Sequence, residues 1–275
     1  MGVPGRATWI IRMLALWVVM TLRAEAAEPV APGVEFRGWT LGGERVTVSV
    51  APFYGWVPGV SGDVRALGAP ARIGIGPGDI LSNLDGYLDA LEGGYIGMGE
   101  VRIGRFGILH DVFWADYLSG NTFDGGLFSF DVGVAYEQVM VTMAGSYRLV
   151  EDADGHLDAL VGARFQSIGL SVGLRLNGEI ADHLPDGDRW ADPILGVKGR
   201  YRPAKRWFVQ GWVMVGGFGV SSDILADGMV VAGYEAADWA DVWLGYRSAY
   251  TDFDNGDFEW NILMHGPIIG FDLRF

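Results

Sequence analysis

The chain has 275 residues, among them 43 glycines, eleven tryptophans and ten tyrosines, with no cysteine and a formal charge of −14. The missing cysteines exclude a disulfide framework, thiolate metal sites and a cysteine nucleophile, and an acidic balance without a basic stripe speaks against nucleic acid as a partner. Glycine this frequent, without a Gly-X-Y period and beside so many aromatics, excludes collagen and a disordered linker.

Residues 1–26 read as a secretory signal. Arg6 and Arg12 supply the positive start, "MLALWVVMTL" the apolar core and Ala24-Glu25-Ala26 the small-x-small cleavage site. A membrane anchor is the alternative, but Arg12 and Arg23 leave ten residues between them, half of the ~20 that a spanning helix needs. Removing the signal takes the formal charge from −14 to −16. Residues 27–45 read as a periplasmic N-terminal segment, and the remainder is long for one core but ordinary for one barrel.

From Val46 onward the chain alternates apolar and polar residues in short runs bounded by turn residues. The first run is 46–57, with Val46, Val48, Val50, Tyr54 and Trp56 on one face. A long connection, 58–94, follows, and within it "GPGDILSNLDGYLDALEGG" (76–94) changes period: Ile80, Leu81, Leu84, Tyr87, Leu88 and Leu91 recur every three to four residues. With Asp79 as N-cap and Gly93-Gly94 as stop, this predicts a helix over 79–92. Its apolar stripe, with Leu84, Leu88 and Leu91, is expected either to cover the barrel mouth as a lid, to enter it as a plug, or to lie at the membrane surface.

Further runs at 95–103, 106–118, 127–150, 157–177, 190–202, 206–220, 224–235, 241–252 and 258–275 complete ten expected strands, with eight as the alternative count. The connections at 104–105, 151–156, 203–205 and 236–240 are short, while 58–94, 119–126, 178–189, 221–223 and 253–257 alternate with them on the other side. Short turns at one end and longer loops at the other, on an even strand count, predict an all-β fold: a transmembrane antiparallel up-and-down barrel spanning 46–275 with one short helix in its first external loop. Three strands change apolar phase along their length, near Glu137-Gln138, near Gln166-Ser167 and at Gly266-Pro267. A bulge at each site is the expected device, which turns His265, Asn261 and Glu259 inward; two shorter hairpins with Glu137-Gln138 in a turn are the competing reading of the first two.

The pieces "YGWVPGVSGDV" (54–64), "FGILHDVFW", "WADPILGVKGRYR", "GGFGVSSD", "VWLGYRSAYTDFD" and "HGPIIGFDLRF" resemble those of an uncharacterised family of proteobacterial outer-membrane β-barrel proteins. The resemblance covers most of the mature chain and implies an outer-membrane location and a barrel fold, with no activity to carry over. Phe271, Leu273 and Phe275, alternating to a terminal aromatic, resemble the signal read by the barrel-assembly machinery. Trp212 and Met214 stand where the family's pattern has charged lumen residues.

With the apolar face outward, the expected lumen charges are Glu100, Arg102, Asp111, Asp131, Glu137, Arg148, Asp158, Arg164, Arg175, Lys198, Arg200, Asp227, Glu235, Asp241 and Arg247. Near-balanced signs on that face predict a mutually neutralising ladder in a closed barrel, or else a narrow charge-lined passage. "DADGHLD" (152–158) and "DFDNGDFE" (252–259) carry fragments of calcium-loop spacing but read as hairpin turns. Asp182-His183 with Asp186 and Asp188 resembles the Asp and His of omptins without the surrounding motifs. Outer-membrane acylases and phospholipases pair a His with a Ser, and neither His265, with no Ser in its own strand's vicinity, nor His110, of outward or ambiguous parity, meets that need.

The expected function is therefore a non-catalytic structural or surface barrel, then a narrow passive channel gated by 76–94, then a hydrolase. No cofactor and no metal are expected. The expected partners are outer-membrane lipids, lipopolysaccharide and, during biogenesis, the assembly machinery.

Overall fold

In a computed structural model the described residues are 40, 41, 43–124, 129–176 and 179–275, with the side chains of 121–132 and 174–183 excepted. The expected signal lies outside them, as does all but the end of the 27–45 segment. In chain order the elements are β1 (Thr40–Leu41), β2 (Glu44–Ala51), β3 (Tyr54–Trp56), β4 (Gly59–Ala66), β5 (Ala69–Ile75), α1 (Pro77–Ser82) and α2 (Leu84–Ala90). The long strands follow: β6 (Leu91–Ile103), β7 (Phe106–Asp124), β8 (Ser129–Glu151), β9 (Gly155–Leu176), β10 (Glu179–Ala204), β11 (Trp207–Gly217), β12 (Ile224–Ala237), β13 (Ala240–Asp254) and β14 (Glu259–Arg274).

From β6 to β14 each strand pairs antiparallel with the next, and the far edge of β14 pairs successively with β4, β3 and β2. Because β2 also pairs with β6, the sheet closes into a barrel. Segments β2, β3 and β4 are one stave interrupted at Pro52 and Pro58, where a residue without an N–H cannot donate to the ladder. The described residues thus form a closed all-β barrel of ten antiparallel staves, as the alternation predicts. Closure is fastened at the C-terminus, where Val48 and Phe275 exchange N–H···O bonds of 3.0 and 2.8 Å.

Three expected loops are shorter than their turn residues indicate. Within 58–94, β4 prolongs the first stave and β5 folds back on it as a hairpin. Segments 119–126 and 178–189 are largely wall: β7 continues to Asp124 and β10 begins at Glu179. As a result β8, β9 and β10 run for 23, 22 and 26 residues, against 11 for β11, and one side of the barrel stands much taller.

The polarity is reversed relative to a water-soluble protein. Ile108, Val161, Leu195, Val213, Val230, Leu244 and Ile269 are exposed on the outside, while Asp158, Arg164, Asp227 and Arg247 are buried inside. Exposed Phe106, Tyr147, Tyr201, Trp207 and Phe271 mark the short-turn end. The outward series of β10 from Tyr201 to Ala191 rises about 25 Å at the usual tilt, the height of a hydrocarbon belt.

None of the three expected bulges exists. The β8–β9 ladder keeps one register from Phe130↔Leu176 to Arg148↔Asp158, and the β13–β14 ladder runs unbroken from Asp254↔Glu259 to Ala240↔Leu273. The same parity of β8 therefore faces inward throughout, carrying Arg148, Ser146 and Thr142 low in the barrel and Tyr136 high. What changes is the surroundings. Above the belt the enclosed side packs Tyr136, Ile168, Leu170, Phe258 and Trp260, whereas Glu137, Asn261 and Glu259 share the outward parity of Met143 and Ile269. Where a strand leaves the apolar belt, its outer face turns polar and its inner face packs a hydrophobic core, so the apolar pattern inverts on an unbroken strand. Glu137 and His265, expected inside, are consequently outside.

Candidate functional site: a cross-linked lumen beneath an aromatic cap

At mid-height the interior is spanned by a neutral group of two arginines and two aspartates. Asp227 of β12 lies 2.7 Å from Arg164 of β9 and 2.8 Å from Arg247 of β13, and Arg247 also grips both carboxylate oxygens of Asp111 on β7. Tyr54 of β3 donates to Asp111 at 2.8 Å, the Trp212 indole donates to Asp227 at 2.8 Å, and Arg164 Nε donates to Thr142 at 2.8 Å. The Arg247 guanidinium also lies 5.0 Å from the Trp56 ring and 5.4 Å from that of Trp212. Trp212 thus serves the network through its ring N–H.

Arg164–Asp227 joins β9 to β12, Arg247–Asp111 joins β13 to β7 and Tyr54–Asp111 joins β3 to β7, staves that are not neighbours, so these contacts cross the lumen. Burying four charges is costly, and the group persists because opposite signs and neutral donors occupy nearly every lone pair. Within this group Arg164 Nη1 and Arg247 Nε lack a hydrogen-bond partner.

A second tier lies nearer the short turns. Arg102 bridges Glu100 at 2.7 Å and Asp158 at 2.6 Å; Arg148 also pairs with Asp158; and Lys198 reaches from β10 to Glu100 on β6. Beside them Arg200 holds Glu235 at 2.9 Å and Asp241 at 2.8 Å, and Arg274 holds Asp241 at 2.7 Å. The Arg200 guanidinium sits 3.5 Å from the centre of the Phe208 ring, which lies over Gly233 where any β-carbon would collide with it. Glu100, Arg102, Asp111, Arg164, Lys198, Arg200, Asp241 and Arg247 are thereby brought into the interior as expected. Asp131 and Arg175 are register partners whose side chains lie outside the described residues.

Above the charges, Trp190 of β10 stacks on Phe253 of β13 at 4.0 Å, and a column runs from Tyr117 through Tyr136 to Trp260 and Phe258. The column ends at the helices. The expected single helix over 79–92 is two short ones, broken at Asn83, whose side chain competes for backbone hydrogen bonds and disfavours a helix interior. Gly76, not Asp79, is the N-cap; Asp79 sits three residues in and accepts the Gly76 N–H at 2.8 Å. Leu91 opens β6 and packs on the core, but Leu84 and Leu88 are exposed, and Ile80 and Tyr87 supply the inward contacts instead. The Tyr87 and Tyr117 hydroxyls share a hydrogen bond. Helix α1 rests on β4 and β14, and α2 on β6 and β7, so the pair links the two edges of the barrel wall on either side of the first stave's break.

The acidic turns are occupied by their own backbone. Asp152 accepts the N–H groups of Asp154 and Gly155; Asp254 accepts that of Gly256; Asn255 accepts those of Asp257 and Phe258. Among the described residues no three His, Asp or Glu side chains converge as metal ligands. Asp182 and His183 lie in the β9–β10 ladder rather than in a loop, and their side chains lie outside the described residues. His265 faces outward, with Nδ1 2.5 Å from the Tyr246 hydroxyl, and its register partner on β13 is Ser248, a neighbour that reading along its own strand misses.

No family model and no curated protein matches the chain. Among solved structures it is similar to the outer membrane protease OmpT from Escherichia coli, with 11% identity and a TM-score of 0.47 over 84% of this chain and 96% of that one. The translocator domain of the autotransporter NalP from Neisseria meningitidis shares 12% identity at a TM-score of 0.40, over 98% of this chain and 100% of that one. Ail, the attachment invasion locus protein of Yersinia pestis, shares 8% identity at a TM-score of 0.32, over 84% and 97%.

Proposed function

We propose that the protein is an integral outer-membrane β-barrel with an occluded lumen, serving a structural or surface role without conduction or catalysis. The supporting observation is the Arg164–Asp227–Arg247–Asp111 group, whose Arg164–Asp227 and Arg247–Asp111 pairs cross the lumen at mid-height with all four residues buried. An open passage needs a continuous wet path; here paired charges span the interior, and an aromatic core lies above them. The apolar outer belt and the resemblance to proteobacterial outer-membrane barrels support the location, with lipid and lipopolysaccharide as surroundings and Phe271, Leu273 and Phe275 as assembly signal. Planar-bilayer recording on refolded protein, with and without residues 76–90, is the test. Neither form is expected to conduct; steps seen only after deletion would establish the gated channel instead.

Ser248 opposite His265 on the outward face is the observation that favours a hydrolase as second reading. Acyl transfer requires the serine to hydrogen-bond the imidazole, and the hydrogen bond described at His265 is to Tyr246. Ester hydrolysis in mixed micelles, abolished by Ser248→Ala and by His265→Ala alike, would overturn the non-catalytic reading.

A further inference from the structure

The ring of staves closes low in the barrel and leaves a notch higher up. The β2–β6 ladder ends at Ala51↔Met98 and the β6–β7 ladder begins at Leu91↔Tyr117. Among the described residues, therefore, β6 from Leu91 to Gly97 pairs only with β7, and β7 from Leu118 onward pairs only with β8. Across the notch stands β5, the last strand of the sheet, which pairs only with β4. Strand edges with unpaired backbone N–H and C=O groups thus border the same gap from both sides, a template for any extended chain.

The side chains beside these edges are sorted by face. Inward, Ile75 lies opposite Val60 and is 48% exposed, and Val134, on the inward parity of Tyr136, is 38% exposed. The hydrophobic core, which packs Val60 and Tyr136, is therefore uncovered at the notch. Outward, Glu92, Asp116 and Glu137 gather on β6, β7 and β8. Burial pushes the Asp116 carboxyl above its ordinary value, and the charges of Glu137 and Glu92 push it the same way. Among the described residues none of these three is in an ion pair, and the one cation on β5, Arg72, is already held by both carboxylate oxygens of Asp63.

These faces define what fits. A strand added in the gap turns alternate side chains inward, onto Ile75 and Val134, and the others outward, beside the carboxylates. The fitting chain is one in which apolar residues alternate with cationic ones. A second copy brings the same carboxylates on a chain of formal charge −14 and is repelled. We propose that the notch binds an extended cationic peptide segment of another protein. It pairs with the free edge of β5, covers Ile75 and Val134 with its apolar residues and sets its lysines or arginines against Glu92, Asp116 and Glu137. This gives a partner to the surface role inferred above and rests on that reading.

The absence of cysteine permits a direct test. Gly74→Cys, an outward position with open space around a β-carbon, carries a nitroxide, as does Asp238→Cys in the turn between β12 and β13. Refolded protein in phosphatidylcholine vesicles is titrated with a seven-residue peptide of alternating lysine and valine, equal to β5 in length. Binding is expected to immobilise the label at 74 and not that at 238. It is expected to weaken about tenfold in the triple variant Glu92→Gln, Asp116→Asn, Glu137→Gln. An unchanged spectrum at 74 would overturn the proposal. So would equal binding of a glutamate and valine peptide, which removes the choice of charge, or of the lysine peptide methylated on every backbone nitrogen, which removes strand pairing. Dipolar broadening between labels at 74 before any peptide is added would overturn it in favour of a second copy. Protein that binds the peptide as expected but does not float with the vesicles would overturn the membrane reading and leave the docking site standing.

Discussion

Asp227 shows how much one buried carboxylate can hold. It lies between two guanidiniums that are themselves fully buried, and it also accepts the Trp212 N–H. Asp227→Ala leaves Arg164 without its ion pair and Arg247 with Asp111 alone, and the expected loss is about 3–5 kcal/mol in urea unfolding of the refolded barrel. An unchanged midpoint would mean that water reaches the site. The residue types of this network were legible as charges on an inward parity, but the partners were not. Pairing Arg247 with Asp111 requires knowing that staves separated by 136 residues face each other across the lumen. Trp212 carried no signal of its role, since an indole on a strand reads as a belt or core residue until a carboxylate is placed beside it.

At the scale of the element, β8 is the clearest case. Met143 and Glu137 lie on the same outward face of one unbroken strand, yet in the proposed membrane barrel they face different media. Met143→Arg is expected to cost about 2–4 kcal/mol, whereas Glu137→Arg, above the belt and across from Asp116, should cost about 0–1 kcal/mol. Equal costs in chemical denaturation would show that the belt reaches residue 137. The phase switch was visible in the sequence. Its cause was not, because a bulge and a change of surrounding medium produce the same apolar pattern, and only the ladder register separates them. The helices behave alike: their existence followed from the 3.6 period, but the break at Asn83 and the inward choice of Ile80 and Tyr87 over Leu84 and Leu88 depend on where β6 and β7 lie. Burial pushes the Tyr87 phenol above its ordinary value, with the hydrogen bond to Tyr117 acting in the opposite direction. A raised phenol contributes fully below the unfolded value of about 10 and loses its contribution as pH rises through the folded value. Protection factors of the α2 amides, in which the base-catalysed intrinsic rate is divided out, should therefore stay constant from neutral pH to about 10 and fall above it, and Tyr87→Phe should lower the protection free energy at neutral pH by about 1 kcal/mol. Exchange that ignores both changes would detach the cap from Tyr87.

For the whole molecule, closure depends on the last residues. Val48 and Phe275 exchange backbone bonds, and Leu273 and Arg274 pair with Val50 and Ser49. Deleting residues 273–275 leaves the lower seam between first and last staves open, and the expected outcome is loss of the compact, urea-resistant form on refolding; full yield would show that β3 and β4 suffice to close the barrel. The sequence by itself determined the strand count, the side that carries short turns, the outward apolar face and the near-balance of lumen charges, because each is a local periodicity or composition. The tertiary structure alone decided which charges pair, that the high strand segments are core rather than loop, and that the helix breaks at Asn83 with Ile80 and Tyr87 turned inward. Those outcomes depend on which residues closure brings face to face and on which medium surrounds each height of the barrel, and neither is a property of any short stretch of chain.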